Sequence, residues 1–199
     1  MVTTFYQQIK DALNRDLDGQ LFEHCAVDLL NSDFPGISPI SGGSDSGMDG
    51  GVFDGHGPPF PLVTTTGKDC MGNLRRNLTK YVSDGGTRRK VIFATSQKLT
   101  AKRRQNLFNS ARDVGFDLLQ VFEQTAIADR LYRNSNWCKT LLGLTGSPEP
   151  LATVPSGARR LLGEHVYGQS AVIEALQNSA GDKVLVGPPG SGKTFLLYN

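Results

Sequence analysis

At 199 residues the chain has room for one complete domain and part of a second. Its 38% hydrophobic content suits a domain with a real core, and its apolar runs, such as Val91–Ala94 and Val184–Val186, are far short of the ~20 residues that span a bilayer. A formal net charge of +2 hides a segregation: nine acids stand against Lys10 and Arg15 before residue 60, whereas ten bases stand against Asp84 alone between Arg75 and Arg104.

Phe5, Ile9 and Leu13 recur at helical spacing, and the apolar series resumes through Leu21, Phe22, Cys25, Ala26, Leu29 and Leu30. Gly19 splits this stretch into two predicted helices, with Asp18 as the cap of the second. Pro35, Pro39 and many glycines change the character of residues 31–57, where Gly36–Ile40 and Met48–Phe53 read as the two strands of a hairpin. The β-branched stretch Pro61–Thr66 predicts a third strand. Lys68–Ser83 follows as a helix with Met71, Leu74, Leu78 and Tyr81 or Val82 on one stripe. Next come a buried strand at Lys90–Thr95, a helix at Ala101–Val114 facing inward through Leu107, Ala111 and Val114, a strand at Phe116–Phe122 and a helix at Ala126–Tyr132. Hairpin strands followed by alternating helix and strand imply an α/β domain with a mixed central sheet covered on both faces.

Gly146, Pro148, Pro150, Pro155 and Gly157 interrupt the pattern. The expected organisation is therefore a first domain over residues 1–145, a linker over 146–162 and a second module over 163–199. The start of the chain lacks the basic and apolar signature of a secretory signal. Cys25, Cys70 and Cys138 form no CxxC pair, which argues against a disulfide framework or structural zinc and predicts buried thiols in a reducing, cytoplasmic setting. His24, His56 and His165 share no ligand spacing.

In the second module a helix is predicted at Ser170–Asn178 and a strand at Lys183–Val186. The strand runs into Gly187, Pro188, Pro189, Gly190, Ser191, Gly192, Lys193 and Thr194, which match GxxxxGK[ST] at every position. Glycines let backbone N–H groups converge on phosphate oxygens, the lysine reaches the terminal phosphates and the threonine hydroxyl ligates Mg²⁺, so this is a predicted P-loop for ATP. Gly163–Gln169 ahead of it resembles the lead-in of AAA+ and STAND-type NTPases. Asn199 follows Thr194 by five residues, leaving no room for a Walker-B acid, and the expectation is a truncated NTPase start that does not hydrolyse ATP by itself.

In the first domain, phosphodiester chemistry needs carboxylates for a divalent ion and a lysine beside the attacking water. Asp49, in the predicted second strand, and Lys68, at the end of the third, are the expected pair, because adjoining antiparallel strands bring such ends together. Glu23 shares a helical stripe with Ala26, Val27 and Leu30, an unusual place for an acid unless it faces something positive. Taken singly, Asp49 reads as a turn acid, Lys68 as a surface lysine and Asp45 as a cap of the Gly-rich turn; the chemical reading comes from their combination. The basic stretch reads either as a solvated face or as a surface for a phosphate backbone, through Arg75, Arg76 and Lys80 on one helix and Lys98, Lys102, Arg103 and Arg104 at the start of the next. Trp137, Phe122 and Tyr132 read as core.

The leading helix, Gly42-Gly43-Ser44-Asp45-Ser46-Gly47-Met48-Asp49-Gly50 and a strand ending in lysine resemble the Mrr-like branch of the PD-(D/E)xK superfamily over about residues 15–135. That branch contains modification-dependent restriction endonucleases and related prokaryotic defence nucleases. The resemblance implies a restriction-endonuclease-like αβββαβ core, with Asp49 as metal-binding acid, Lys68 as catalytic lysine, Glu23 as auxiliary acid and Mg²⁺ or Mn²⁺ as cofactor. Thr66 departs from the pattern, standing where D, E or Q is expected, and a hydroxyl is a poorer Mg²⁺ ligand than a carboxylate. The expected partners are DNA and a nucleoside triphosphate, without a membrane, and assembly would run through the rest of the NTPase domain. Two alternatives stay open: an inactive nuclease fold that binds DNA, and an NTPase regulator whose first domain binds a protein.

Overall fold

The computed structural model describes residues 4–40 and 46–146, together with Asn178. The chain divides into two units, Met1–Pro148 and Glu149–Asn199. The predicted helix at 170–178 (apart from Asn178), the strand at 183–186, the P-loop, Asp45 and His165 lie outside the described residues.

In the first unit, α1 (Phe5–Leu13) and α2 (Gly19–Leu30) precede a hairpin of β1 (Ile37–Pro39) and β2 (Gly50–Val52). Then follow β3 (Phe60–Thr65), α3 (Cys70–Ser83), β4 (Lys90–Thr95), α4 (Ala101–Asp113), β5 (Asp117–Phe122), α5 (Gln124–Tyr132) and α6 (Ser135–Leu142). The five strands lie in the order β1-β2-β3-β4-β5. The pairs β1·β2 and β2·β3 are antiparallel, and β3·β4 and β4·β5 are parallel. The described domain is thus α/β with a mixed sheet, as its pattern predicts.

Helix starts follow from local chemistry. Thr4, Asp18, Asp69, Thr100 and Asn134 each accept a bond from a first-turn N–H, satisfying a donor that has no partner within the helix. Asp69 explains one correction: its cap on Gly72 N, at 2.9 Å, starts α3 at Cys70, two residues later than predicted. The stripe of α3 also differs in detail, with Cys70, Leu74, Leu78 and Tyr81 buried while Met71 and Val82 are exposed. The additional helix α6 packs Cys138, Leu141 and Leu142 inward and stops at Gly143, whose φ of 66° few other residues adopt.

Period-two alternation divides the core between the two faces of the sheet. Leu62, Ile92 and Ala94 face α1, α2, α5 and α6, whereas Val63, Val91 and Phe93 face α3 and α4. The expected core aromatics fall on the first side: Phe122 is fully buried, and Tyr132 and Trp137 pack against the cluster, with Trp137 Nε1 donating to Asp28 at 2.5 Å. All three cysteines are buried and free. Among the described residues no helix is long and apolar enough to cross a membrane.

Candidate functional site

Asp49 does not lie within β2, as expected, but immediately before it. Its N–H still donates to Leu62 O at 3.0 Å, and its carboxylate then takes the place of a ladder carbonyl. Oδ2 accepts from the backbone N–H of Thr64 at 2.5 Å and from the Thr64 hydroxyl at 3.1 Å. At 9% exposure Asp49 is therefore a buried acid held at the carboxyl end of β3.

Two glycines bring the chain into this position. A Cβ on Gly47, whose φ is 75°, would lie 2.1 Å from Asn77 O, so only glycine lets the turn before Asp49 rest on α3. A Cβ on Gly50 would crowd Val27 Cγ2 at 3.1 Å, so the glycine after Asp49 lets α2 sit directly on β2. Glu23 is half-buried on α2, one turn before Val27 and on the same side of the helix.

Lys68 is placed otherwise than expected. β3 ends at Thr65, and Lys68 lies exposed in the bend between β3 and α3. Among the described residues it makes no hydrogen bond or ion pair, with Asp49 or any other group. It forms part of a cleft with Met71, Leu99, Arg103 and Leu107, on the side of α3 and α4. It follows Thr64 by four positions, so at most about 14 Å separates their Cα atoms. Thr66 is half-buried, and its carbonyl accepts from Gln97 Nε2 at 2.7 Å.

A polar rim connects these groups. Thr65 and Thr95 are register partners at the ends of parallel strands, and Ser96 N donates to Thr65 O at 3.3 Å. Gln97 O accepts from Gln124 N at 3.1 Å, and Gln124 Nε2 donates to Asn14 Oδ1 at 2.7 Å. Among the described residues the buried polar side chains are Asp49, Thr64, Thr95, Ser96 and Gln124, all at this end of the sheet, and Ser110 in α4. The sequence reading missed this rim, although the two strand endings Thr64-Thr65-Thr66 and Thr95-Ser96-Gln97 carried its signal.

The predicted basic surface divides in two. Arg75, Arg76, Lys98, Lys102, Arg103 and Arg104 are exposed near the starts of α3 and α4, beside the carboxyl ends of β3 and β4. Arg76 lies 3.5 Å from Asp69 and Arg104 3.8 Å from Glu123. Lys80 is also exposed, but ten residues along α3 from Cys70, about 15 Å away by helical rise. The remaining bases of the run, Arg88, Arg89 and Lys90, belong to the opposite end of β4. Arg88 donates to His56 O, to Pro58 O at 2.9 Å and to Asp54 Oδ2 at 2.5 Å, with Lys90 at 3.5 Å from the same carboxylate. Arg89 stacks 5.4 Å above the Phe116 ring. Arg88 holds the Asp54 carboxyl well below its usual range, at about 2, assisted by the His56 N–H and by Lys90.

Among the described residues the fold and rim define an α/β domain with all its buried polar side chains but Ser110 gathered at the carboxyl ends of parallel strands, where ligands of open α/β sheets bind. No family model, curated protein or solved structure matches the chain.

Proposed function

We propose that residues 1–145 form a Mg²⁺-dependent endodeoxyribonuclease domain of restriction-endonuclease-like type, joined to an ATP-binding module at Gly187–Thr194 and acting in prokaryotic restriction or antiviral defence. The observation that carries this reading is the buried Asp49 carboxylate bonded to Thr64 near the end of β3, the strand followed by the bend that holds Lys68. The strand arrangement supports it: an antiparallel hairpin leads into parallel β3 and β4, with helices before and between them, in the αβββαβ order of the family the sequence resembles.

Mg²⁺ takes oxygen donors, commonly one or two carboxylates completed by water and substrate phosphate. Asp49 and Glu23 supply donors of that kind and number, and would be the residues that hold the ion. When bound, the ion would supply charge stabilisation at the phosphate. Lys68 would orient the attacking water, and the cations at the starts of α3 and α4 would hold the DNA backbone.

A plasmid-nicking assay in Mg²⁺ and Mn²⁺ tests this reading. Asp49→Asn is the informative variant because its amide oxygen still accepts the Thr64 bonds, so the fold survives while the anionic ligand is lost. Nicking is expected to fall roughly 100-fold or more in Asp49→Asn and in Lys68→Ala. Equal nicking in wild type and both variants would assign the activity to a contaminant.

A second reading is an inactive nuclease fold that binds DNA. Two observations favour it: Thr66 replaces the usual acid, and Lys68 makes no bond to Asp49. DNA binding without metal-dependent nicking would identify it.

A further inference from the structure

We propose that Lys68 and Arg103 form a seat for a single phosphoryl group, in the cleft between the starts of α3 and α4. The inference builds on the nucleic-acid reading of this face, but it concerns binding alone and needs no metal.

The cleft lies just outside the carboxyl ends of β3 and β4. Lys68 reaches it from the β3–α3 bend and Arg103 from the first turn of α4, with Met71, Leu99 and Leu107 as apolar wall. Its volume is about 90 Å³. Pockets for whole drug-sized ligands run to ~300–1,000 Å³, so the cleft suits one small anionic group and not a complete nucleotide.

Charge identifies the ligand. Neither Lys68 nor Arg103 has a carboxylate partner among the described residues. The acid in the wall, Asp69, is already engaged, with Oδ1 capping Gly72 N at 2.9 Å and Oδ2 lying 3.5 Å from Arg76. Cations that serve the fold are treated differently: Arg88 is bound to Asp54 and Arg130 to Asp33. Two cations against the single carboxylate of Asp69 leave the cleft net positive, and beside its apolar side chains they attract an anion more strongly than the same charges fully in water. The Cys70 thiol in the wall senses both charges of the cleft: burial raises its pKa, the Thr95 hydroxyl and then the Arg103 guanidinium draw it back, and the Asp69 carboxylate raises it.

The order of charges on α4 adds to this. Its first turn carries Lys102, Arg103 and Arg104 and no acid, the reverse of what the helix dipole favours. Arg104 lies 3.8 Å from Glu123, whereas Lys102 and Arg103 have no carboxylate partner among the described residues. A planar guanidinium and a mobile ammonium facing one cleft are suited to the several oxygens of a phosphoryl group.

Phosphate in the cleft would come from a nucleic-acid strand or from free phosphate, and binding experiments in EDTA separate the two. The full chain carries Lys193→Ala, so that the P-loop does not contribute. The probes are a short fluorescent single-stranded DNA with a 5′-phosphate, the same strand without it, and inorganic phosphate. Lys68→Ala and Arg103→Ala are each expected to weaken DNA binding about ten-fold. Arg112→Ala, which removes the same charge near the other end of α4, is expected to cost about two-fold through the general field alone. Equal losses for both strands place a backbone phosphodiester in the seat, and a loss confined to the phosphorylated strand places a terminal phosphate there. Direct binding of inorganic phosphate, read by titration calorimetry, that Lys68→Ala and Arg103→Ala abolish while DNA affinity stays unchanged assigns it to free phosphate. If Lys68→Ala and Arg103→Ala lose no more than Arg112→Ala towards every probe, the seat does not exist. Wild-type protein that binds DNA through Lys68 and Arg103 but nicks no plasmid in Mg²⁺ or Mn²⁺ would overturn the nuclease reading and leave this inference standing.

Discussion

The two ends of β4 are both basic, and the chain uses them in opposite ways. At the amino end Arg88 and Lys90 converge on Asp54, Arg88 also lies 5.7 Å from the Phe60 ring centre, and Arg89 covers Phe116. At the carboxyl end Lys68, Lys98, Lys102 and Arg103 stand exposed without carboxylate partners among the described residues. Cations whose charge is satisfied internally serve the fold, and cations left uncompensated beside a cleft are available to a ligand. Bases of one sequence run therefore come to lie in two different electrostatic settings, separated by the length of one strand.

The largest expected effect on stability is at the amino end. Arg88→Ala removes the bonds to the His56 and Pro58 carbonyls that tie the β2–β3 connection to β4. Urea unfolding is expected to show a loss of about 1–2 kcal/mol, allowing for partial exposure. Arg103→Ala at the carboxyl end should change stability by no more than about 0.5 kcal/mol while reducing DNA affinity. If both variants destabilise equally, the comparison fails.

The pH dependence sharpens it. The folded-state pKa of Asp54 is depressed to about 2, so its contribution is complete above the ordinary carboxylate value of 3.8 and is lost as pH falls toward 2. Melting temperature followed through that window should fall in wild type and be flatter in Asp54→Asn. A matching slope in the two proteins would remove Asp54 from the account.

The smallest effect is expected at the rim. Arg104 is exposed and only 3.8 Å from Glu123, so Arg104→Ala should alter stability by a few tenths of a kcal/mol. It should also flatten the dependence of log affinity on log salt by about one phosphate contact. An unchanged salt slope would exclude Arg104 from the nucleic-acid surface.

Much of the fold was legible because its signals are local. Asp18 and Gly19 announced the break between α1 and α2, and Val91-Ile92-Phe93 read as a short buried strand. The helix α6 escaped because eight residues carry little periodicity, although Asn134 and Gly143 mark its ends. The hairpin was read too long: β1 and β2 pair over only three residues each, because the chain leaves the ladder at Asp49, whose side chain replaces a carbonyl. The candidate site was legible only in part. Asp49, Lys68 and Glu23 were each visible as residues of suitable chemistry, but the rim of Thr95, Ser96, Gln97 and Gln124 was not, since it exists only where separate strand endings align.

The sequence by itself determined most of the helices and strands, that the sheet is mixed, and which residue types were available for phosphate chemistry, because periodicity, capping and side-chain type are properties of short stretches. Tertiary structure alone decided that Arg88 is a clamp and Arg103 is not, and that Lys68 stands with α4 without bonding to Asp49. Those distinctions depend on where oppositely charged and apolar groups from distant parts of the chain come to lie, and electrostatic energy is set by that distance and burial, not by position in the chain.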